Sequence, residues 1–324
     1  MSAEDKRPSL AQVQRIQERI RLTDGPSSLA TPQSHVAVAR PAPQGPAPAH
    51  KVAHIDLGQL QEVGIPTPTG GRTRVLDEYR LIKRTVLRNV ARESHEKHLN
   101  LVMVTSAQPG EGKTFTALSL AMSVVADEGV PVLLVDLDVV KQDTCRRLGI
   151  PHEIGLIDVL ADNKLTLPQV FVKTDVPRLA VLPAGSDHPL AHELMAGHKM
   201  QTLMDHLSNM YRNGLVIFDL APVLVSADAS VLAANVGQVI LVIEANRTGR
   251  TSVEQTISLL NGCKRISLVL NKVEASELIE QYGTYYGEYY SEPRTHANPG
   301  KGQSLSDRFT AYLHNQLQRT KKSG

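Results

Sequence analysis

From about Val75 onward, short apolar runs alternate with amphipathic stretches. Runs near 100–105, 131–135, 178–182, 215–219, 238–243 and 266–270 predict strands, and helical periodicity fills most of the gaps between them. One predicted helix reaches Val90 ahead of the first run, and another spans Phe115 to Ala126 behind it. Strands alternating with helices predict an α/β fold, a mostly parallel sheet with helices on both faces. Ligands of such sheets bind beyond the carboxyl ends of the strands.

The flanks are patterned differently. Leu10, Val13, Ile16 and Ile20 recur at near-helical spacing between Pro8 and Thr23, which predicts one short amphipathic helix. Pro26, Pro32, Pro41, Pro43, Pro46 and Pro48 then mark an extended linker, and no aromatic residue precedes Tyr79. The expected organisation is a disordered Pro-rich segment over 1–70, a globular domain over 71–275 and a tail over 276–324. Five of the eight tyrosines, Tyr282, Tyr285, Tyr286, Tyr289 and Tyr290, fall within nine positions of that tail. Interleaved glycines disfavour a regular helix there, so an exposed flexible strip is expected. Behind it, a basic extension carries Phe309, Tyr312, Leu313 and Leu317 at rough helical spacing.

With 324 residues and 41% hydrophobic content, the chain can bury a real core. A net charge of +2 without a gathered basic face disfavours nucleic-acid binding. Cys145 and Cys263 lie far apart without metal-ligand spacing and read as reduced thiols of a cytoplasmic protein. The N-terminus lacks the apolar core of a secretion signal, and no run approaches the ~20 apolar residues of a membrane span. Membrane association is therefore expected only through a partner or a surface helix.

Chemistry concentrates where the first apolar run meets its helix. Ala107-Gln108-Pro109-Gly110-Glu111-Gly112-Lys113-Thr114 follows the phosphate-loop pattern G-x-x-x-x-G-K-(S/T), with Ala107 in place of the first glycine. Glycines let successive backbone N–H groups turn around phosphate oxygens, and the helix that follows points its positive end at the same charge. The expected nucleotide-binding residues are Gln108, Pro109, Gly110, Glu111, Gly112, Lys113, Thr114 and Phe115. Lys113 would reach the β and γ phosphates of ATP, and the Thr114 hydroxyl would ligate Mg²⁺. Carboxylates near the metal should sit at the ends of apolar strands. Val132-Leu133-Leu134-Val135-Asp136-Leu137-Asp138 and Leu215-Val216-Ile217-Phe218-Asp219 have that form. Because residues two apart on a strand share a face, Asp136 and Asp138 can serve one site, with Asp219 holding the metal through water.

These features together resemble the bacterial tyrosine autokinases, in particular those of exosortase-linked exopolysaccharide systems, across residues 75–290. The resemblance implies an ATP-dependent kinase that phosphorylates its own tyrosine cluster and regulates exopolysaccharide synthesis or export. It implies Lys113, Asp136, Asp138 and Asp219 as catalytic residues, with Thr114, Asp136 and Asp219 around Mg²⁺. Either Asp136 or Asp138 would take the tyrosine proton. Asp77, Arg80 and Lys83 stand where the family has an E-x-x-R-x-x-R helix that drives ring-shaped self-association, and Asn271 resembles an adenine-contacting position. A membrane-embedded polysaccharide chain-length adaptor and a tyrosine phosphatase are the implied partners, with recruitment to the inner face of the cell membrane. Two departures stand out: Ala221 replaces the first proline of a D-x-P-P turn, which should loosen it, and only Lys141 meets the basic residue expected after Asp138. The competing reading is an ATP-driven switch or scaffold like the partitioning ATPases. Those carry an extra lysine early in the loop, where Gln108 stands here.

Overall fold

The computed structural model describes residues 52–92, 96–127, 129–162 and 164–273. The predicted helix at 10–23, the tyrosine cluster and the basic extension lie outside them. Seven strands form one sheet in the order β3-β4-β2-β5-β1-β6-β7. They are β1 (Leu101–Ser106), β2 (Val132–Leu137), β3 (Val172–Lys173), β4 (Leu179–Leu182), β5 (Leu215–Leu220), β6 (Gln238–Glu244) and β7 (Ile266–Asn271). All neighbours pair in parallel except β3 with β4. The two-residue β3 has no periodicity to announce it, and sequence reasoning missed it.

Strand parity sorts the core into two layers. Leu101, Met103, Leu133, Val135, Val216 and Phe218 face one cluster, and Val102, Val104, Leu134, Leu215 and Ile217 the other. The second layer is closed by α1 (Leu57–Glu62), α2 (Arg74–Arg92), α3 (Lys113–Val125) and α4 (Asp143–Leu148). The first is closed by α5 (Leu156–Ala161), α6 (Leu167–Val170), α7 (Ala191–Ala196), α8 (His198–Met210), α9 (Asp228–Ala233) and α10 (Arg250–Leu259). Helix α3 is apolar nearly all round, which suits an element buried between the sheet and α2.

Disorder expected as far as residue 70 is corrected for 52–70. Ala53 bonds to the backbone beside β3, α1 is capped by the Asp56 side chain, and Ile55, Leu60 and Ile65 are buried in the second layer. Few but well-spaced aliphatic residues were enough to hold a segment that proline content had marked as linker.

On α2, Tyr79 is buried and donates to Thr116 Oγ1 at 3.1 Å. Burial pushes its hydroxyl up to about 12, so it stays neutral. Asp77 pairs with Arg80 at 2.8 Å and Arg72 at 3.0 Å. Lys83 is tucked in: its Nζ reaches the Ser123 carbonyl at 3.1 Å and Asp127 at 2.8 Å, at the carboxyl end of α3.

Candidate active site

β1 feeds the loop 107–112, and α3 starts at Lys113. Gly110 and Gly112 have φ of +86° and +101°, left-handed values that a side chain disfavours. At Gly112 a Cβ would also stand 2.0 Å from the Asn271 amide nitrogen, so angle and space both require glycine. Ala107 is not among the positive-φ residues, which is why alanine serves where the pattern has glycine.

Asp136 and Asp219 are register partners on adjacent β2 and β5. Their parity matches Leu134 and Ile217, so both lie on the α3 side of the sheet. Lys113 Nζ lies 2.7 Å from Asp138 Oδ2 and 3.6 Å from Asp219 Oδ1. The structure thus brings together all four expected catalytic residues, and each is buried. Asp136 accepts from the backbone N–H groups of Cys145 (3.1 Å) and Asp138 (3.3 Å). Asp219 accepts from the Thr144 hydroxyl at 2.8 Å and from Thr114. Asp138 Oδ1 accepts from the Lys141 N–H at 3.2 Å.

Burial pushes the Asp136 carboxyl up to about 7, and the charge of Asp219 adds to it. Burial also raises Asp219, against the pull of Lys113 and two hydroxyls. For Lys113, burial disfavours the charge, but Asp219, Asp138 and Asp136 outweigh it and its pKa rises. Apart from Lys113, Asp138 Oδ2 and Asp219 Oδ1 have no hydrogen-bond partner among the described residues. Among the described residues no three His, Cys, Asp or Glu side chains are grouped to hold a metal ion. A cation here therefore needs the Thr114 hydroxyl and phosphate oxygens as well. Orphaned carboxylate oxygens, that hydroxyl and a glycine-opened loop fit a nucleotide phosphate chain with Mg²⁺.

A brace behind the loop went unforeseen. Buried Glu111 accepts from the Gln108 N–H at 2.9 Å and from the Thr248 hydroxyl. Burial raises its pKa. Asn271 Nδ2 donates to the Glu111 carbonyl at 2.8 Å, so the amide expected on adenine is committed to the loop. Lys272 Nζ donates to the Gly110 carbonyl at 2.8 Å and meets Glu244 at 3.0 Å. Thr248 follows β6 and Lys272 follows β7, so the strand-end logic that singled out Asp219 would have found them.

Three further expectations change. The Phe115 ring packs edge-on against Tyr79, 6.1 Å between centres, leaving its backbone N–H as its part in a phosphate site. Ala221 does not loosen its turn: Thr105 Oγ1 holds its carbonyl at 2.8 Å, and Val223 and Leu224 bond back to Ser106 and Ala107. Lys141 meets Asp138 through its main chain, while its side chain is exposed.

Residues 100–273 match the AAA domain family. The tyrosine-protein kinase YwqD of Bacillus subtilis is 33% identical over 206 residues, 63% of this chain and 84% of that protein. The tyrosine-protein kinase CpsD of Streptococcus agalactiae is 31% identical over 203 residues, 61% and 85% of the two chains. Against EpsB of Ralstonia solanacearum, identity is 34% over 59% of this chain, which spans only 25% of that longer protein. Among solved structures, the kinase domain of the Escherichia coli tyrosine kinase ETK superposes with a TM-score of 0.53 at 25% identity, covering 67% of this chain and 95% of that one.

Proposed function

Because the chain belongs to the bacterial tyrosine-protein kinases, P-loop proteins built on an AAA domain, we infer that it transfers the γ-phosphate of ATP to the tyrosines of its own tail. The observation that carries this reading is the buried Lys113–Asp138–Asp219–Asp136 constellation at the start of α3. Bound Mg²⁺, held by Thr114, Asp219 and Asp136, would neutralise phosphate charge. Lys113 turns from the carboxylates to the β and γ phosphates when nucleotide enters, an exchange of one anionic partner for another. A tyrosine Oη then attacks the γ phosphorus; the new O–P bond forms as the bridge to the β phosphate breaks, and ADP leaves. Asp138 is the better base of the two candidates. Both Asp136 oxygens are held by backbone N–H groups, whereas among the described residues Asp138 Oδ2 is held by Lys113 alone, which departs.

Tyr282, Tyr285, Tyr286, Tyr289 and Tyr290 are the acceptors, and the reaction regulates exopolysaccharide synthesis or export. No described helix is long and apolar enough to cross a membrane. A membrane-embedded chain-length adaptor would recruit the chain to the inner face of the cell membrane, and a tyrosine phosphatase would reset it. Self-association into a ring uses the α2 face that carries Arg80 and Leu81, whose exposures support that role. Phosphopeptide mass spectrometry on residues 276–300 tests the reading, with the adaptor present and Lys113→Met and Asp138→Asn as controls. Phosphate that is present in wild type and lost in both variants supports the kinase; an unmodified wild-type tail sinks it.

A further inference from the structure

A cavity of about 700 Å³ opens at the amino-terminal end of β1, the opposite end of that strand from the phosphate loop. The six residues of β1 separate the two, about 20 Å of extended chain. Its floor is apolar, formed by Val90 near the end of α2 and by buried Leu99. One wall is the last turn of α8. There Asn100 Nδ2 donates to the Ser208 and Tyr211 carbonyls at 2.9 Å, and Asn100 Oδ1 accepts from the Ser208 hydroxyl at 2.8 Å. The other wall, residues 96–98, is held as firmly. His98 keeps a φ of +65°, which a non-glycine residue seldom adopts, and its carbonyl accepts from the N–H groups of Leu101 at 2.8 Å and Gly237 at 3.0 Å. A Cβ at Gly237 would stand 2.5 Å from that carbonyl oxygen, so this close approach requires glycine. Fixed walls, an apolar floor and a volume within the roughly 300–1,000 Å³ of small-molecule sites make a preformed pocket.

The charges that line the pocket do not cancel. Its carboxylates are already matched: Asp205 meets His98 Nε2 at 2.7 Å, and Glu96 pairs with Arg265. Two lining cations are left over. Among the described residues Lys97 has no hydrogen-bond or ion-pair partner, and Arg212 meets the neutral Asn209 amide oxygen alone, at 3.4 Å. We propose that this pocket binds a small organic anion, a carboxylate or a phosphate monoester, with its charged group at Lys97 and Arg212 and its apolar body on Val90 and Leu99. The planar guanidinium can offer two parallel donors to the oxygens of either group. A concave wall excludes part of the solvent that would screen the same cations on a flat surface, so an anion gains more here than at an open one. A neutral occupant would leave both cations unmatched. The site is independent of the kinase reading, because it shares no residue with the phosphate loop or the buried aspartates.

Isothermal titration on the full-length protein tests this, with saturating Mg²⁺ and ADP present to fill the phosphate loop. The probes are butyl phosphate and pentanoate, with butanol as the neutral control. At least one of the anions should bind one-to-one with a Kd near or below about 1 mM, a modest efficiency for molecules so small. Losing one charge-assisted hydrogen bond weakens binding about ten-fold, so Lys97→Ala and Arg212→Ala should each raise that Kd about ten-fold. Both side chains are exposed, and ADP affinity within about two-fold of wild type would show the fold intact. Lys173→Ala, which removes an equal charge on β3, should leave the anion Kd unchanged. Tighter binding of butyl phosphate assigns the pocket to phosphate monoesters, and tighter binding of pentanoate assigns it to carboxylates. The proposal is overturned if neither anion binds saturably or if butanol binds as well as they do. It is also overturned if the Kd is the same in both variants as in wild type, which would put the anion elsewhere on the protein.

Discussion

Gly110 and Gly112 share a left-handed backbone, yet a methyl group added at each meets different surroundings. At Gly110 no atom of the described residues lies within 4 Å, whereas at Gly112 the Asn271 amide stands 2.0 Å away. Gly110→Ala should therefore cost only the backbone term, about 1–2 kcal/mol. Gly112→Ala adds a clash with the side chain that fastens the loop to β7. Urea unfolding should separate the two, with Gly112→Ala the less stable by at least about 1 kcal/mol; equal midpoints would mean that Asn271 gives way freely. Lys113→Met removes the one cation that pairs with Asp138 and Asp219 among the described residues, and breaking a buried pair costs about 3–5 kcal/mol. The nucleotide-free variant should unfold at clearly lower urea than wild type. These residues were legible in sequence because each backbone requirement or charge has its own residue type. What was not legible is which oxygens are already taken: that Asp136 is held by two backbone donors depends on where α4 returns to the sheet.

Between elements, the phosphate loop leans on the far edge of the sheet. Thr248 and Asn271, from the ends of β6 and β7, bind Glu111 from both its side chain and its carbonyl. Thr248→Val leaves a buried carboxyl without its hydroxyl donor, a loss of about 1–3 kcal/mol. ATP affinity should fall about ten-fold if half of that strain reaches the loop. Isothermal titration would decide it, and affinity within two-fold of wild type would show that the loop holds its shape unaided. The sequence foretold the six long strands to within a residue or two because each is a compact apolar run, fully or almost fully buried in β1, β2, β5 and β6 and partly so in β7, whereas β3 and the segment 52–70 depend on contacts that periodicity does not encode. Ile55 reads as an isolated apolar residue until Asp175 binds its backbone N–H and sets it into the core. The brace was hidden for the same reason: Glu111 and Thr248 are 137 positions apart.

At the scale of the whole molecule, the two faces of α2 differ in exposure, and its charged residues divide between them. Tyr79, Val86 and the Lys83 ammonium face α3. Lys83 sits where α3 ends, so its charge meets that helix's negative pole as well as Asp127. Arg80, half exposed and paired with Asp77, and Leu81, 60% exposed, face outward. Although Lys83 and Arg80 occupy matching places in one repeat of the sequence pattern, they should therefore fail differently when truncated. Under the self-association proposed above, Arg80→Ala is expected to shift the protein toward monomer in sedimentation velocity and to leave the melting temperature nearly unchanged, since an exposed ion pair contributes about 0–1 kcal/mol. Lys83→Ala uncovers the Ser123 carbonyl and leaves Asp127 without its partner, and should lower the melting temperature by several degrees before any change in assembly. Dissociation by Lys83→Ala at an unchanged melting temperature would reverse the assignment and put the lysine on the subunit contact.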